Sequence, residues 1–170
     1  IDGLEHRREK WGKYAKAFLK FSEKMAVKYA DAVIADNKGI QDYVREEYGK
    51  EAELIAYGGD HVLCDIADVE EQILEKYGLK NICYSFSLCR IEPEKYAGYG
   101  NIHLLSPIYD VKTLNVLRSH CSFYIHGHSA GGTNPSLVEA MFFGKPILAF
   151  DVIYNRETTE QKADYFYSAE

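Results

Sequence analysis

The residues best suited to binding chemistry lie at Gly131–Asn134, directly before Pro135. Asn134 is a favourable N-cap and proline suits the first helical position, so a helix is predicted to begin at Pro135. The paired glycines allow the backbone to approach a ligand closely. The unpaired amides of the first helical turn carry the positive end of the helix dipole. This segment therefore favours an anion such as a diphosphate.

A carboxylate lies about one turn further into the same predicted helix. Glu139 is flanked by apolar residues, and its side chain is expected to lean back toward the helix N-terminus. A carboxylate in that setting requires a hydrogen-bonding partner, and the paired hydroxyls of a ribose suit its two oxygens. The alternative is that Glu139 only complements the helix dipole, and the sequence leaves both interpretations open.

A second candidate for anion binding is Arg90, which follows a predicted strand that ends at Leu88. Ligands in open α/β sheets gather beyond the carboxyl ends of strands. A guanidinium at that edge can hold a diphosphate through two hydrogen bonds and stabilise the charge that develops on it. The alternative is a surface ion pair with Glu92 or Glu94.

The elements that must position these residues alternate along the chain. The apolar patterns predict helices at residues 6–28, 39–48, 69–77, 111–118 and 135–143. They predict strands at residues 32–35, 53–57, 81–88, 101–105, 122–126 and 146–150. Alternation of helices with continuously apolar strands predicts an α/β fold with a parallel sheet covered on both faces.

Composition narrows the functional classes. The 170 residues are 46% hydrophobic, which suffices for a buried core, and the net charge of -6 argues against a dedicated nucleic-acid binder. No apolar run approaches the roughly 20 residues of a membrane span. Neither a P-loop nor a dinucleotide-binding glycine motif is present. The four cysteines lie in apolar runs and predict buried free thiols in a reducing cytoplasm: Cys64, Cys83, Cys89 and Cys121.

The first predicted helix is basic although the chain is acidic overall. Its apolar residues recur at helical spacing, at Trp11, Tyr14, Phe18, Phe21 and Met25. Six lysines and two arginines between Arg7 and Lys28 accompany this stripe: Arg7, Arg8, Lys10, Lys13, Lys16, Lys20, Lys24 and Lys28. Such a helix can make a peripheral contact with the inner face of an anionic membrane. The alternative is that the stripe is buried in the protein and the lysines are merely solvated.

Together these segments resemble the retaining glycosyltransferases of the fourth sequence family, and bacterial rhamnosyltransferases in particular. The most specific stretch is Gly-Gly-Thr-Asn-Pro-Ser-Leu-Val-Glu-Ala-Met at residues 131–141, together with Arg-Ile-Glu-Pro-Glu at residues 90–94. Shorter similar stretches extend the resemblance over nearly the whole chain, at residues 1–8, 35–40, 55–60, 150–151 and 155–157. For residues 155–157 the resemblance implies a loop.

The resemblance implies a GT-B type architecture of Rossmann-like parallel sheet domains. Residues 1–60 would form the C-terminal part of the acceptor-side N-terminal domain, and residues 61–170 the nucleotide-sugar-binding C-terminal domain. Related chains have a further helix and strand near residues 94–100 and a longer N-terminal domain. The chain is therefore expected to be incomplete, and whether it is active by itself is left open.

The same resemblance implies transfer of a hexose, namely rhamnose from dTDP-rhamnose, to a polysaccharide or lipid-linked acceptor with retention and without metal or cofactor. It places the donor diphosphate on Arg90, Gly131, Gly132 and Thr133. It places the transferred sugar on His128, Thr133 and Asn134, the ribose on Glu139, and the base near Pro107, Ile108 and Tyr109. No catalytic residue is assigned, because Gly131 stands where the family has a first glutamate.

Two other functions remain open on the sequence. One is a non-catalytic fragment that binds the nucleotide-sugar without transferring the sugar. The other is a metal-dependent hydrolase, because His126 and His128 alternate and so project from one face of a strand end, as zinc ligands do.

Overall fold

The computed structural model describes residues 4–7, 11–89, 98–129 and 131–168. Within these ranges the helices are α1 (Lys13–Tyr29), α2 (Lys38–Tyr48), α3 (Glu70–Lys76), α4 (Val111–His120), α5 (Pro135–Met141) and α6 (Ile153–Thr158). The strands are β1 (Ile34–Ala35), β2 (Glu53–Leu54), β3 (Ser85–Phe86), β4 (Phe123–His126), β5 (Ile147–Phe150) and β6 (Asp164–Phe166). Short 3₁₀ turns lie at Glu5–Arg7 and Asp60–Val62.

The strands form two parallel sheets. β1 pairs with β2, and the second sheet has the order β3-β4-β5-β6. In its centre Tyr124 lies opposite Ile147, and Leu148 lies opposite Asp164. Parallel neighbours cannot be joined by a tight hairpin, and α5 and α6 supply the crossovers from β4 to β5 and from β5 to β6. The predicted α/β class with a parallel sheet is confirmed.

The first sheet and its helices share one apolar core. Ile40 and Val44, one turn apart on α2, are fully buried and pack with Val27 of α1. Tyr154 of α6 packs against the same core, although it lies far along the chain. A second cluster beneath the larger sheet joins Cys121, Tyr124 and Ala140. The C-terminal helix α6 therefore connects the two sheets.

One predicted strand is wrong. Residues 101–105 form no strand, and Ile102 and Leu104 are exposed. A parallel strand requires a neighbour with which to exchange backbone hydrogen bonds. β3 forms the edge of the larger sheet among the described residues, so this apolar run pairs with no strand there.

Two elements near the C-terminus were not predicted. Residues 155–157, expected in a loop, lie within α6, and β6 follows at Asp164–Phe166. α6 has six residues and no side-chain N-cap, so it carries neither the length nor the start signal that marks a helix in sequence. β6 has only three residues and begins with an aspartate.

The cysteine prediction is also only partly right. All four cysteines are free, but Cys121 alone is buried, whereas Cys64, Cys83 and Cys89 are exposed. Cys83 lies just before the two-residue strand β3, where the apolar run Ile82–Tyr84 is too short to be covered. Apolar neighbours in the sequence therefore do not ensure that a cysteine side chain is buried.

The apolar stripe of α1 is exposed rather than buried. Tyr14, Phe18 and Phe21 are exposed, while Val27 and the side chain of Glu23 face the protein. The interpretation in which the stripe packs into the core is therefore wrong, because α1 packs against the protein through a different face. No helix among the described residues is both long and apolar enough to cross a membrane.

Candidate functional site

The glycine-rich loop lies at the carboxyl edge of the larger sheet. It follows β4, which ends at His126 opposite Ala149 of β5, and leads into α5. Gly131 has φ 119°, a conformation that side chains with a Cβ rarely adopt. Asn134 caps α5, because its Oδ1 accepts from the Ser136 backbone N–H at 3.0 Å and from the Ser136 hydroxyl at 2.8 Å. The predicted helix start is confirmed.

A carboxylate directly after the first sheet accepts a hydrogen bond from an amide of this loop. The backbone N–H of Thr133 donates to Oδ2 of Asp36 at 2.8 Å, and the Thr133 hydroxyl donates to the Asp36 carbonyl at 3.2 Å. A Cβ on Gly132 would lie 2.5 Å from the same Asp36 oxygen, so only glycine permits this approach. Asp36 Oδ1 is buried without a hydrogen-bond partner in the described part of the chain. An amide of the loop therefore donates to a carboxylate oxygen of this chain, and binding of a diphosphate by the loop stays a prediction.

Asn37 fixes the loop from the same side. Its Oδ1 caps α2 by accepting from the Gly39 backbone N–H at 2.8 Å. Its Nδ2 donates to the Thr133 hydroxyl at 3.2 Å and to the Tyr154 carbonyl at 3.3 Å. One buried side chain thus connects α2, the glycine-rich loop and α6. The predicted N-cap role of Asn37 is confirmed, whereas its contact with the loop was not anticipated.

α6 also holds the segment that leads from β4 into the loop. Asn155 Nδ2 donates to the His128 carbonyl at 3.0 Å and to the Phe150 carbonyl at 2.8 Å. One residue further on, the guanidinium of Arg156 makes a two-pronged contact with the Asp151 carboxylate, at 2.5 and 2.6 Å. The arrangement fixes the position of the loop relative to the end of β5. Preorganised loops of this kind lose less entropy when a ligand binds.

Glu139 has a buried cationic partner. Arg118 Nη2 of α4 donates to Glu139 Oε2 at 2.5 Å, and His61 Nε2 lies 3.3 Å from Glu139 Oε1. The Arg118 side chain is 2% exposed, whereas the Glu139 side chain is 19% exposed and that of His61 is 63% exposed. Glu139 is therefore held at one oxygen by a buried guanidinium, while its other oxygen faces an exposed imidazole. The ribose-binding role of Glu139 stays a prediction.

Arg118 and His61 were missed by sequence reasoning. Arg118 occupies the last turn of α4, where a basic residue ordinarily complements the helix dipole from the surface. Thr113 and Asn115 on the same helix are also buried, but no pattern in the sequence marks any of the three as buried. His61 lies in an isolated 3₁₀ turn, and its neighbours in sequence indicate no partner.

His126 is buried beside the loop. Burial, and secondarily the nearby His128, lowers the pKa of His126 from its ordinary 6.5 to about 4, so its imidazole is neutral at pH 7. The rings of His126 and His128 lie 6.0 Å apart between centroids. Among the described residues no group of three or more His, Cys, Asp and Glu side chains converges as metal ligands do. The two histidines therefore lack, within that part of the chain, the further ligands that a zinc site requires.

The other predicted site residues are only partly placed. Arg90 lies outside the described residues. Pro107, Ile108 and Tyr109 directly precede Asp110, the residue that caps α4 by accepting from the Thr113 backbone N–H at 2.8 Å. The structure thus puts Pro107–Tyr109 just before the helix that carries Arg118, and their position near a base stays a prediction.

The first part of the chain is similar to a known family. Residues 1–60 match the family described as Domain of unknown function (DUF1972). This family is associated with glycosyltransferase-like proteins. The match includes Asp36 and Asn37, which contact the loop, but it does not extend to the loop itself. No curated protein and no solved structure matches the chain.

Proposed function

We propose that this chain is the nucleotide-sugar-binding part of a glycosyltransferase, and that Gly131–Asn134 hold the diphosphate of the donor. The observation that carries the proposal is the Thr133 backbone N–H, which donates to a carboxylate oxygen at 2.8 Å. A phosphate oxygen is an anionic acceptor of the same kind. The position of the loop beyond the ends of parallel strands supports the proposal, as does the family match of residues 1–60.

Asp36 stands in for part of the donor in this arrangement. Two anions cannot share the Thr133 amide at close range, so the donor must displace the Asp36 side chain before its phosphate takes this position. One Asp36 oxygen is buried and unpaired within the described residues, and such a group costs free energy. When the carboxylate is displaced, that oxygen returns to water. The free energy gained in this way offsets part of the cost of breaking the contact with Thr133.

Glu139 and Arg118 provide the second half of the proposed site. Arg118 holds one carboxylate oxygen of Glu139 and so orients the other. That second oxygen contacts the exposed His61 at 3.3 Å, at the long end of the hydrogen-bond range. In dTDP the pentose is a deoxyribose, and its 3′ hydroxyl displaces this imidazole at little cost because His61 regains water. Glu139 would then bind the pentose directly at the position predicted for a ribose, with Arg118 as its positioning residue.

The finer identity of the reaction comes from the resemblance. It is transfer of a hexose, namely rhamnose from dTDP-rhamnose, with retention, to a polysaccharide or lipid-linked acceptor. In this proposal His128, Thr133 and Asn134 contact the transferred sugar, Arg90 binds the diphosphate, and Pro107–Tyr109 lie near the base. The Thr133 hydroxyl donates to the backbone carbonyl of Asp36, so displacement of the Asp36 side chain frees the Thr133 amide and leaves the hydroxyl in place.

Isothermal titration calorimetry with dTDP and dTDP-rhamnose tests the proposal. Wild-type protein is expected to bind both, and Glu139→Gln is expected to weaken binding at least tenfold, equivalent to about 1.4 kcal/mol. Glu46→Gln, on the exposed side of α2, is the matched control and should bind as wild type does. Thermal unfolding of each variant identifies the temperature at which all are folded. Wild-type protein that binds neither nucleotide, or equal affinity in all three proteins, would contradict the proposal.

A further inference from the structure

The outward side of α1 carries a continuous row of aromatic rings. Tyr14 is 93% exposed, Phe18 68% and Phe21 59%, and we call these three residues the aromatic face. An α-helix turns by about 100° per residue, so the three side chains project within an arc of about 60°. Tyr29, at the end of the helix, is also exposed. Soluble monomers rarely leave such a contiguous apolar surface uncovered.

The rotation of α1 about its axis is fixed by contacts on the opposite side. Glu23 Oε1 accepts from the Tyr43 hydroxyl at 2.6 Å and from the Tyr48 hydroxyl at 2.5 Å. Lys20 contacts the same two tyrosines, and Val27 is buried in the core. The helix is therefore already packed, and the aromatic face is exposed because it points away from the packed side.

The charges around the aromatic face are of one sign. Lys13, Lys24 and Lys28 are exposed along one edge of it. The only acidic residue of α1 is Glu23, whose side chain is 12% exposed and faces the protein. In a chain of net charge -6, this helix surface is locally cationic and aromatic. Basic residues beside aromatic ones suit the interface of an anionic lipid bilayer, where rings enter the headgroup region and lysines meet phosphates.

We propose that α1 docks this chain on an anionic lipid surface. The helix lies in the plane of the bilayer, the aromatic face inserts to the depth of the headgroup and acyl boundary, and Lys13, Lys24 and Lys28 contact lipid phosphates. From Tyr14 to Tyr29 the helix is about 22 Å long. When it lies flat on the bilayer, the ring of Tyr29 therefore reaches the interface together with the three rings of the aromatic face. The docking does not depend on the proposed nucleotide site, because the aromatic face lies on the side of α1 turned away from α2.

The single tryptophan of the chain makes the docking measurable. Trp11 lies two residues before α1 and is 38% exposed, so its fluorescence reports on the polarity around the start of the helix. Wild-type protein is titrated with vesicles of equal parts phosphatidylglycerol and phosphatidylcholine, and with vesicles of phosphatidylcholine alone. Only the anionic vesicles are expected to shift the emission to the blue and to carry the protein into the pellet on centrifugation.

Two variants and two matched controls test the assignment. Phe18→Ser with Phe21→Ser, and separately Lys13→Glu with Lys24→Glu and Lys28→Glu, are each expected to weaken vesicle binding at least tenfold. All of these side chains are exposed, so the fold should be retained. Tyr99→Ser removes an exposed ring elsewhere, and Lys76→Glu with Lys80→Glu and Lys162→Glu makes the same change in net charge. Both controls should bind as wild type does.

Three outcomes would overturn the proposal. Wild-type protein that ignores anionic vesicles contradicts it directly. Equal loss of binding in the lysine control would show that overall charge, not this face, is responsible. A wild-type dimer that does not bind vesicles and that Phe18→Ser with Phe21→Ser converts to a monomer would assign the face to a second copy of the chain.

Discussion

The backbone N–H of Thr133 donates to the Asp36 carboxylate at 2.8 Å, although the two residues are 97 positions apart in the sequence. Asp36 directly follows β1 of the first sheet, and Thr133 lies in the loop that follows β4 of the second sheet. The contact places an acidic side chain of this chain where the sequence predicts an anionic ligand. In the proposed function, the Asp36 carboxylate and a donor phosphate therefore compete for the same amide.

Asp36→Asn is expected to raise the affinity for dTDP. The amide can still accept the Thr133 N–H, but a neutral acceptor binds a backbone donor about half as strongly as a charged one, and it no longer repels phosphate. Calorimetry should show a several-fold lower Kd. Asp42→Asn, at a partly exposed position on α2, is the control. Weaker binding by Asp36→Asn would instead mean that the Asp36 charge helps to hold the donor.

Gly132→Ala is expected to destabilise the fold by about 2 kcal/mol, because its Cβ would overlap the Asp36 carboxylate. Chemical denaturation measures the free energy of unfolding. Gly127→Ala is the matched control, since a Cβ there meets nothing within 4 Å. Combining Gly132→Ala with Asp36→Ala should recover part of the loss, since the clash is removed. Equal effects at Gly132 and Gly127 would argue against the close approach.

Arg118→Met is expected to cost about 3 kcal/mol of stability, because it leaves the half-buried Glu139 carboxylate without its main partner. Arg45→Met breaks an exposed pair with Asp42 and should cost less than about 1 kcal/mol. Denaturation of both variants measures the difference. Equal losses would mean that the Arg118–Glu139 pair stabilises the protein no more than a surface pair does.

Stability should fall as the pH is lowered through the range in which the protonation of His126 differs between the folded and unfolded states. Its pKa is lowered by burial to about 4 in the folded protein and is near 6.5 when unfolded. Between these values the unfolded chain binds a proton and the folded chain does not, so acid favours unfolding.

The loss should reach about 3 kcal/mol by about pH 4 and be absent well above pH 6.5. Denaturation at several pH values measures it for wild type and for His126→Gln, which should lack this component. His103→Gln, at an exposed position, should keep it. Identical pH profiles for wild type and His126→Gln would contradict the assignment to this histidine.

The elements that neighbouring residues specify could be predicted from the sequence, whereas the contacts between distant segments could not. Asn134 and Pro135 specify the start of α5 by themselves, and the apolar runs of β4 and β5 predicted those strands to within one residue. The partners of the loop and of Glu139 come from segments distant in the chain. Nothing beside Asp36 or Arg118 in the sequence indicates which group each one meets in the fold.

The periodicity of α1 left its surroundings open for a related reason. A stripe of aromatic residues at helical spacing predicts which side of the helix is apolar, but not what that side contacts. Glu23 and Lys20, which look like surface residues in sequence, form the packed side with Tyr43 and Tyr48. The exposure of Phe18 and Phe21 therefore became visible only in three dimensions.

The most direct test of the nucleotide site follows the Thr133 amide itself. In protein labelled with ¹⁵N, titration with dTDP should shift the Thr133 and Gly132 amide resonances along one saturable curve that matches the calorimetric Kd. The amide of Gly78, which donates to the Glu75 carbonyl in the turn after α3, should not move. Absence of binding, or saturable binding of dTDP that leaves the Thr133 and Gly132 resonances unchanged, would contradict the account.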